Sequence, residues 1–211
     1  MGPAKKSIAA LRQVMNMAAG ARIDLCEFCG AQLSDNHLHV MVLSNRQLAC
    51  ACSACAVLLS GQGTTKYRRV PQRALHLRDF RLTDTQWESL MIPINLAFFF
   101  YSTTAGKIVA LYPSPAGATE CALELAAWNE IERENFVLKK MQPDVEGLLV
   151  DRIGNAPEYY LVSIDECYKL VGLVRTHWRG FSGGAAVWRQ IDEFFGALKK
   201  RAGALAETHG A

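Results

Sequence analysis

Five of the chain's seven cysteines and two of its five histidines fall within residues 26–59, "CEFCGAQLSDNHLHVMVLSNRQLACACSACAVLL". An odd cysteine count crowded at one end, with no export signal ahead of it, does not make a disulfide framework. The spacing is that of a metal site. Cys26-x2-Cys29-Gly30 reads as a knuckle: a tight turn aims two thiolates at one ion, backbone amides donate to the sulfurs, and Gly30 supplies the conformational freedom. Cys52-x2-Cys55 repeats the chelate where "AVLLS" starts a short helix, and the partial positive charge at that helix end favours thiolate. Cys26, Cys29, Cys52 and Cys55 thus make a four-thiolate tetrahedron for one Zn2+, closed to water and substrate and therefore structural.

Three further residues in this stretch have the chemistry of ligands. Cys50 shares a strand face with Cys52 and is the alternative to it, although the CxxC chelate favours Cys52 and leaves Cys50 a free thiol. A binuclear site that drew in His37 and His39 would need a bridging thiolate, which is unusual for structural zinc. Nucleases of the HNH type frame a catalytic histidine with such a finger, but Ala56 stands where they place His or Asn, and no acidic residue directly precedes either histidine. The two histidines therefore read as a surface-strand pair. Iron is the lesser alternative to zinc: rubredoxin-like carriers prefer glycine after both chelates, and the second here is followed by Ala56.

Elements must hold these ligands. His37, His39, Met41 and Leu43 alternate with Leu38, Val40 and Val42, the period of a strand, and "SNRQ" turns the chain into a returning "LACA". Knuckle, hairpin and helix in that order describe a treble-clef or zinc-ribbon finger over residues 23–62. Ahead of it, Ile8, Leu11, Val14 and Met15 recur at helical spacing, which predicts an amphipathic helix over 1–22. Arg12, Gln13 and Asn16 interrupt the apolar stretch before it reaches the length of a signal peptide, so the expected compartment is the cytoplasm. No window approaches the ~18–20 apolar residues of a membrane span.

Residues 63–82 read as a basic linker. Between 61 and 81, Lys66, Arg68, Arg69, Arg73, Arg78 and Arg81 face a single Asp79, a local net +5 in a chain of net +3. Beside a zinc finger such a patch makes nucleic acid a candidate partner. No second basic face or stacking array follows it, so a solvated linker is the preferred reading.

A main domain is expected over 83–203, followed by a tail over 204–211. Thr83 and Gln86 stand at capping-box spacing, as do Ser163 and Glu166. "INLAFFFYS" and "KIVALYP" flank "TTAG" as a hairpin, "PSPAGAT" is a loop, residues 120 to 140 are mostly helical, and "GLLVDR" and "YYLVSI" are strands. Trp188, Ile191, Phe195 and Leu198 share one face of the last helix, with Lys199, Lys200 and Arg201 set for the dipole at its end. Cys121 and Cys167 belong to core faces, without a neighbouring base to make either a nucleophile. The order predicts an α+β domain with an antiparallel sheet.

One loop outside the finger could bind an anion. In "RTHWRGFSGGAAVW", Arg175, His177 and Arg179 precede Ser182, Gly183 and Gly184, where a helix opens and leaves amides free for a phosphate or a partner's carboxylate. The loop lacks the Lys-Ser/Thr ending of a P-loop, which argues against nucleotide hydrolysis. Half of the 211 residues are hydrophobic and 20% are charged, so the composition is that of a folded globular chain and not a disordered one.

Taken together and in order, "CEFCGA", "CACSACAVLL", "YRRVP", "ALYPSPAG", "PDVEGLLVDR", "VSIDECYKLVGLVR", "WRGFSGG" and "IDEFF" resemble a bacterial family over residues 26–195. Its members are encoded beside nickel-iron hydrogenases of the oxygen-tolerant, actinobacterial type, with maturation and iron-sulfur assembly proteins. The resemblance implies a role in making or serving such a hydrogenase and supplies no reaction; with no convincing catalytic constellation among the residues, the first expectation is a non-enzymatic accessory or maturation factor, with a hydrogenase subunit or maturation protein as partner. Two other expectations stand beside it, an iron electron carrier or iron-sulfur handling protein, and a nucleic-acid-binding finger.

Overall fold

Period-two alternation after His37 becomes strand β1 (Leu38–Val42), which turns back into β2 (Gln47–Ala51) and then into helix α1 (Ser53–Leu59). The computed structural model describes residues 24–61, 66–154 and 156–208. The helix expected over 1–22 and residues 209–211 of the tail lie outside the described residues. A third strand, β3 (Tyr67–Arg69), pairs antiparallel with the other side of β1, giving a sheet of order β2-β1-β3.

The main sheet is antiparallel, with order β4-β9-β8-β5-β6-β7. Its strands are β4 (Ala74–His76), β5 (Leu96–Ser102), β6 (Lys107–Ser114), β7 (Gly117–Cys121), β8 (Glu146–Asp151) and β9 (Glu158–Ser163). The expected hairpin is β5 and β6, with Phe98 opposite Leu111 and Ser102 opposite Lys107. "PSPAGAT" is more ordered than a loop: Pro113 lies inside β6 opposite Ala118 of β7. Pairing of β6 with β5 ends at Leu111, so the missing proline N–H costs no ladder bond on that side.

Helices cover both faces of this sheet. α4 (Ile164–His177) and α5 (Gly184–Thr208) pack on the face that carries Phe98, Phe100, Leu149, Tyr160 and Val162. The opposite face, with Phe99, Leu148 and Leu161, is closed by Trp87 and Leu90 from α2 (Asp84–Ser89) and its C-terminal end, by Trp128 and Ile131 of α3 (Leu125–Glu134), and by Leu138 of the 3-10 turn Phe136–Lys140. Double coverage explains why "LAFFF" and "GLLV" read as unbroken apolar runs although the sheet is antiparallel. The chain is thus α+β, with antiparallel sheets and a four-cysteine cluster near the N-terminus.

Residues 67–76 do not form a linker. β3 adds to the finger sheet, β4 adds to the edge of the main sheet, and residues 70–73 join them, with Val70 N–H donating to His39 O and Ser163 N–H to Arg73 O. Met41, Leu43 and Val70 enter the same core as α4 and α5, so the finger and the main domain share a hydrophobic interior. The last helix also exceeds its expected end, continuing to Thr208. Lys199 and Arg201 therefore sit inside it, where they pair with Glu158 and Glu166 and have no helix end to serve.

Candidate metal centre

The knuckle is a small hairpin. Leu25 bridges Gln32, Cys26 N–H donates to Ala31 O and Gly30 N–H to Cys26 O, each at 2.8 Å. Gly30 has a φ of 73°, a left-handed conformation that a Cβ disfavours. On the other side, Cys52 is the N-cap of α1, and its Sγ accepts from the Cys55 amide at 3.4 Å.

These two pieces bring the sulfurs of Cys26, Cys29, Cys52 and Cys55 within 4.8 Å of one another. Cys29 Sγ lies 3.7 Å from Cys52 Sγ, against about 3.8 Å for the edge of a tetrahedron with metal–sulfur bonds of about 2.3 Å. The four residues lie close enough to hold one metal ion.

The crowding of the thiols bears on their ionisation. The Cys52 amide holds Cys26 down to about 6 against the opposing effect of burial, while burial and then the neighbouring sulfurs push Cys55 up to about 12. Four thiols this close cannot all ionise unaided. A bound divalent ion removes the repulsion and releases their protons.

Cys50 does not substitute for Cys52. β2 ends at Ala51, and the turn into α1 carries Cys52 toward the knuckle. Cys50 stays on the strand, its N–H donating to Glu27 Oε1 and its side chain grouped with His37 and His39. Those histidines are half-buried and not simply on a solvated strand: His39 Nδ1 meets Asp165 Oδ2 at 3.0 Å, and His37 Nδ1 meets Ser34 O at 2.9 Å. The His39–Asp165 pair joins residues 126 apart, which no local pattern reports.

The six cations of the basic stretch are not one surface. Arg68 donates to Pro143 O and pairs at 3.1 Å with the buried Asp144, which also accepts from the amide and hydroxyl of Thr103. Arg73 pairs at 2.7 Å with Glu146, a fully buried carboxylate. Lys66, Arg69, Arg78 and Arg81 remain exposed. Two of the six charges thus serve the join between the sheets. "PDVEG" holds their partners, and its acidic residues carried no signal of that role.

Around the second candidate loop, Arg179 N–H donates to Gly183 O, while the Trp178 and Trp188 indoles donate to the carbonyls of Gly180 and Ser182. His177 Nδ1 lies 3.0 Å from Leu173 O, Arg179 Nη1 bonds Trp178 O, and Arg175 lies beside the β6–β7 turn, near Gly117. Beside the loop runs an apolar groove of about 440 Å³, lined by Ile94, Pro113, Ile153, Trp178, Trp188 and Ile191 among others; Arg175, His177 and Arg179 are not among its lining residues. Trp188, expected in the core, is 38% exposed at this groove, and Phe181 at the loop tip is fully exposed.

Among the described residues no helix is long and apolar enough to cross a membrane. The chain belongs to a family of unknown function, DUF5947, whose model matches residues 25–202. No curated protein and no solved structure matches it.

Proposed function

We propose that this family member is a non-enzymatic accessory or maturation factor for a nickel-iron hydrogenase, acting in the cytoplasm through contacts with a hydrogenase subunit or maturation protein. Its four cysteines hold one structural Zn2+. The hydrogenase link rests on the sequence resemblance, and one structural observation carries the role in protein contact: the exposed Phe181 stands on a loop tied down by two indole bonds, beside the apolar groove that Trp178 and Trp188 line. A large aromatic presented on an ordered loop next to an apolar groove is the composition of a protein-binding hot spot. Nucleic acid is less well supported, because Arg68 and Arg73 already neutralise buried carboxylates.

The test is association of the purified full-length chain with nickel-iron hydrogenase subunits and maturation proteins of the kind encoded beside members of the resembled family, each produced separately and followed by size-exclusion chromatography with light scattering. A defined complex weakened at least tenfold by Phe181→Ala, with metal content unchanged, is the expected result. If none of these proteins forms a complex, the reading fails. Metal analysis of the same preparation should find colourless zinc at the four cysteines; iron with a thiolate charge-transfer spectrum would redirect the function to electron transfer.

A further inference from the structure

We propose that His37, His39 and Cys50 form a second and separate metal site, which takes Zn2+ with one coordination position left open. One nitrogen of each imidazole and the Cys50 thiol lie within 4.8 Å of one another. The strand pairing builds this trio. His39 and Cys50 are directly opposite on β1 and β2, so their side chains share one face. The backbone groups of Cys50 turn to Glu27, and His39 O turns to Val70. That makes the pair a non-hydrogen-bonded one, the kind in which facing side chains come closest. His37, two residues before His39, falls on the same face, and the two rings lie 4.9 Å apart.

The surroundings of both rings are those of metal ligands. His39 directs Nδ1 at the Asp165 carboxylate and His37 directs Nδ1 at the Ser34 carbonyl, which fixes the tautomers and leaves each Nε2 with its lone pair. His37 Nε2 is shielded from solvent and meets no hydrogen-bond partner among the described residues. A buried acceptor without a donor costs stability unless something occupies it. Two imidazoles and one thiolate suit Zn2+ far better than Mg2+ or Ca2+, and three protein ligands leave a tetrahedral ion one position short. Binding would replace the Cys50 S–H bond with a sulfur–metal bond and release that proton to solvent.

A cleft adjoins the two histidines. His37, His39 and Asp165 line a cleft of about 640 Å³ between the finger and the start of α4, with Lys169 and Arg201 also on its wall. The four-cysteine centre is closed by comparison, so the two sites divide into one that holds the fold and one that can accept an outside ligand.

Titrating Co2+ into the full-length chain already carrying one Zn2+ at the four cysteines tests this. The expected result is saturation at one further equivalent, with a thiolate-to-cobalt absorption band. Cys50→Ser should remove that band, His37→Gln and His39→Gln should each abolish stoichiometric binding, and the resident Zn2+ should be retained throughout. Asp165→Asn should weaken cobalt binding roughly ten- to a hundredfold while keeping the band, because it orients a ligand without being one. Because His37 precedes the strand, its variant remains informative if substitution at Cys50 disturbs the hairpin. No cobalt–thiolate band in the parent chain, or an undiminished band in the Cys50 and His37 variants, would overturn the proposal.

Discussion

Glu146 has no exposed surface and accepts two hydrogen bonds, from Arg73 Nη2 at 2.7 Å and from the Gln142 amide at 2.9 Å. A buried carboxylate that loses its cation is left uncompensated, which costs far more than the ion pair itself is worth. Arg73→Met should therefore destabilise the protein by about 3–5 kcal/mol, whereas Arg73→Met with Glu146→Leu should recover most of that loss. Urea unfolding of the two variants checks the difference; equal losses would mean that Arg73 acts through its aliphatic stem and not its charge. The sequence disclosed the four cysteines because chelate spacing is local, three residues in each half. It could not disclose Arg73–Glu146 or His39–Asp165, since these pairs are 73 and 126 residues apart and depend on how two sheets meet.

The same limit operates on elements. Thr83 and Ser163 carry one capping pattern, yet only Thr83 forms the reciprocal box with Gln86. At the head of α4, Glu166 pairs with Arg201 and Asp165 with His39, so the acidic residues of that first turn are committed to other elements and Ser163 makes no capping bond. Strands β3 and β4 escaped notice because three residues each carry too short a period to read, and two of the three in β3 are arginines. The β1–β2 and β5–β6 hairpins and the Ile191, Phe195 and Leu198 face of α5, by contrast, were legible from alternation and helical repeat. One long-range tie makes a pH prediction for β9 and α5. Burial alone would raise the Glu158 carboxyl, but hydrogen bonds from Lys199 and Tyr160 outweigh it and hold the pKa below the ordinary glutamate value. A carboxylate depressed on folding adds stability that is present above the unfolded value of about 4.3 and is lost as pH falls through the folded one. Glu158→Gln should thus cost about 0.2–1 kcal/mol at pH 7, reduced by the exposure of Lys199, and progressively less as the pH falls through the folded value. Urea midpoints measured against pH should converge on the acid side; a gap that persists there would rule out the ion pair as its source.

At the scale of the molecule, the finger is joined to the main domain by more than its covalent connection. Met41 of β1, Leu43 just after it and Val70 after β3 lie in one hydrophobic cluster with Phe98, Leu149, Leu170 and Phe195. Arg68 and Arg73 carry charge across the same join to Asp144 and Glu146, and Thr104 at the β5–β6 turn donates to Leu43 O. A module of about forty residues has too small an interior to fold on apolar burial alone, and its own cluster is centred on Val40, Ala51 and Ala56. An ion held by the four cysteines would add folding free energy there. Without that ion the hairpin would lose the anchors at both ends, and the apolar residues it contributes to the common core would become exposed. Stripping the metal with a strong chelator should consequently lower the melting temperature of the entire chain, and Cys26→Ser should do the same without chelator. Near-ultraviolet circular dichroism reports the four tryptophans, and its difference between the parent and a Trp178→Phe, Trp188→Phe variant isolates Trp87 and Trp128, which lie on the far face of the main sheet from the finger. Their signal should melt together with the finger in the metal-loaded protein, in one transition whose midpoint falls by several degrees on chelation. Two separated transitions, with the tryptophan signal indifferent to metal, would mean that the shared core is energetically divisible and that the finger is an independent module.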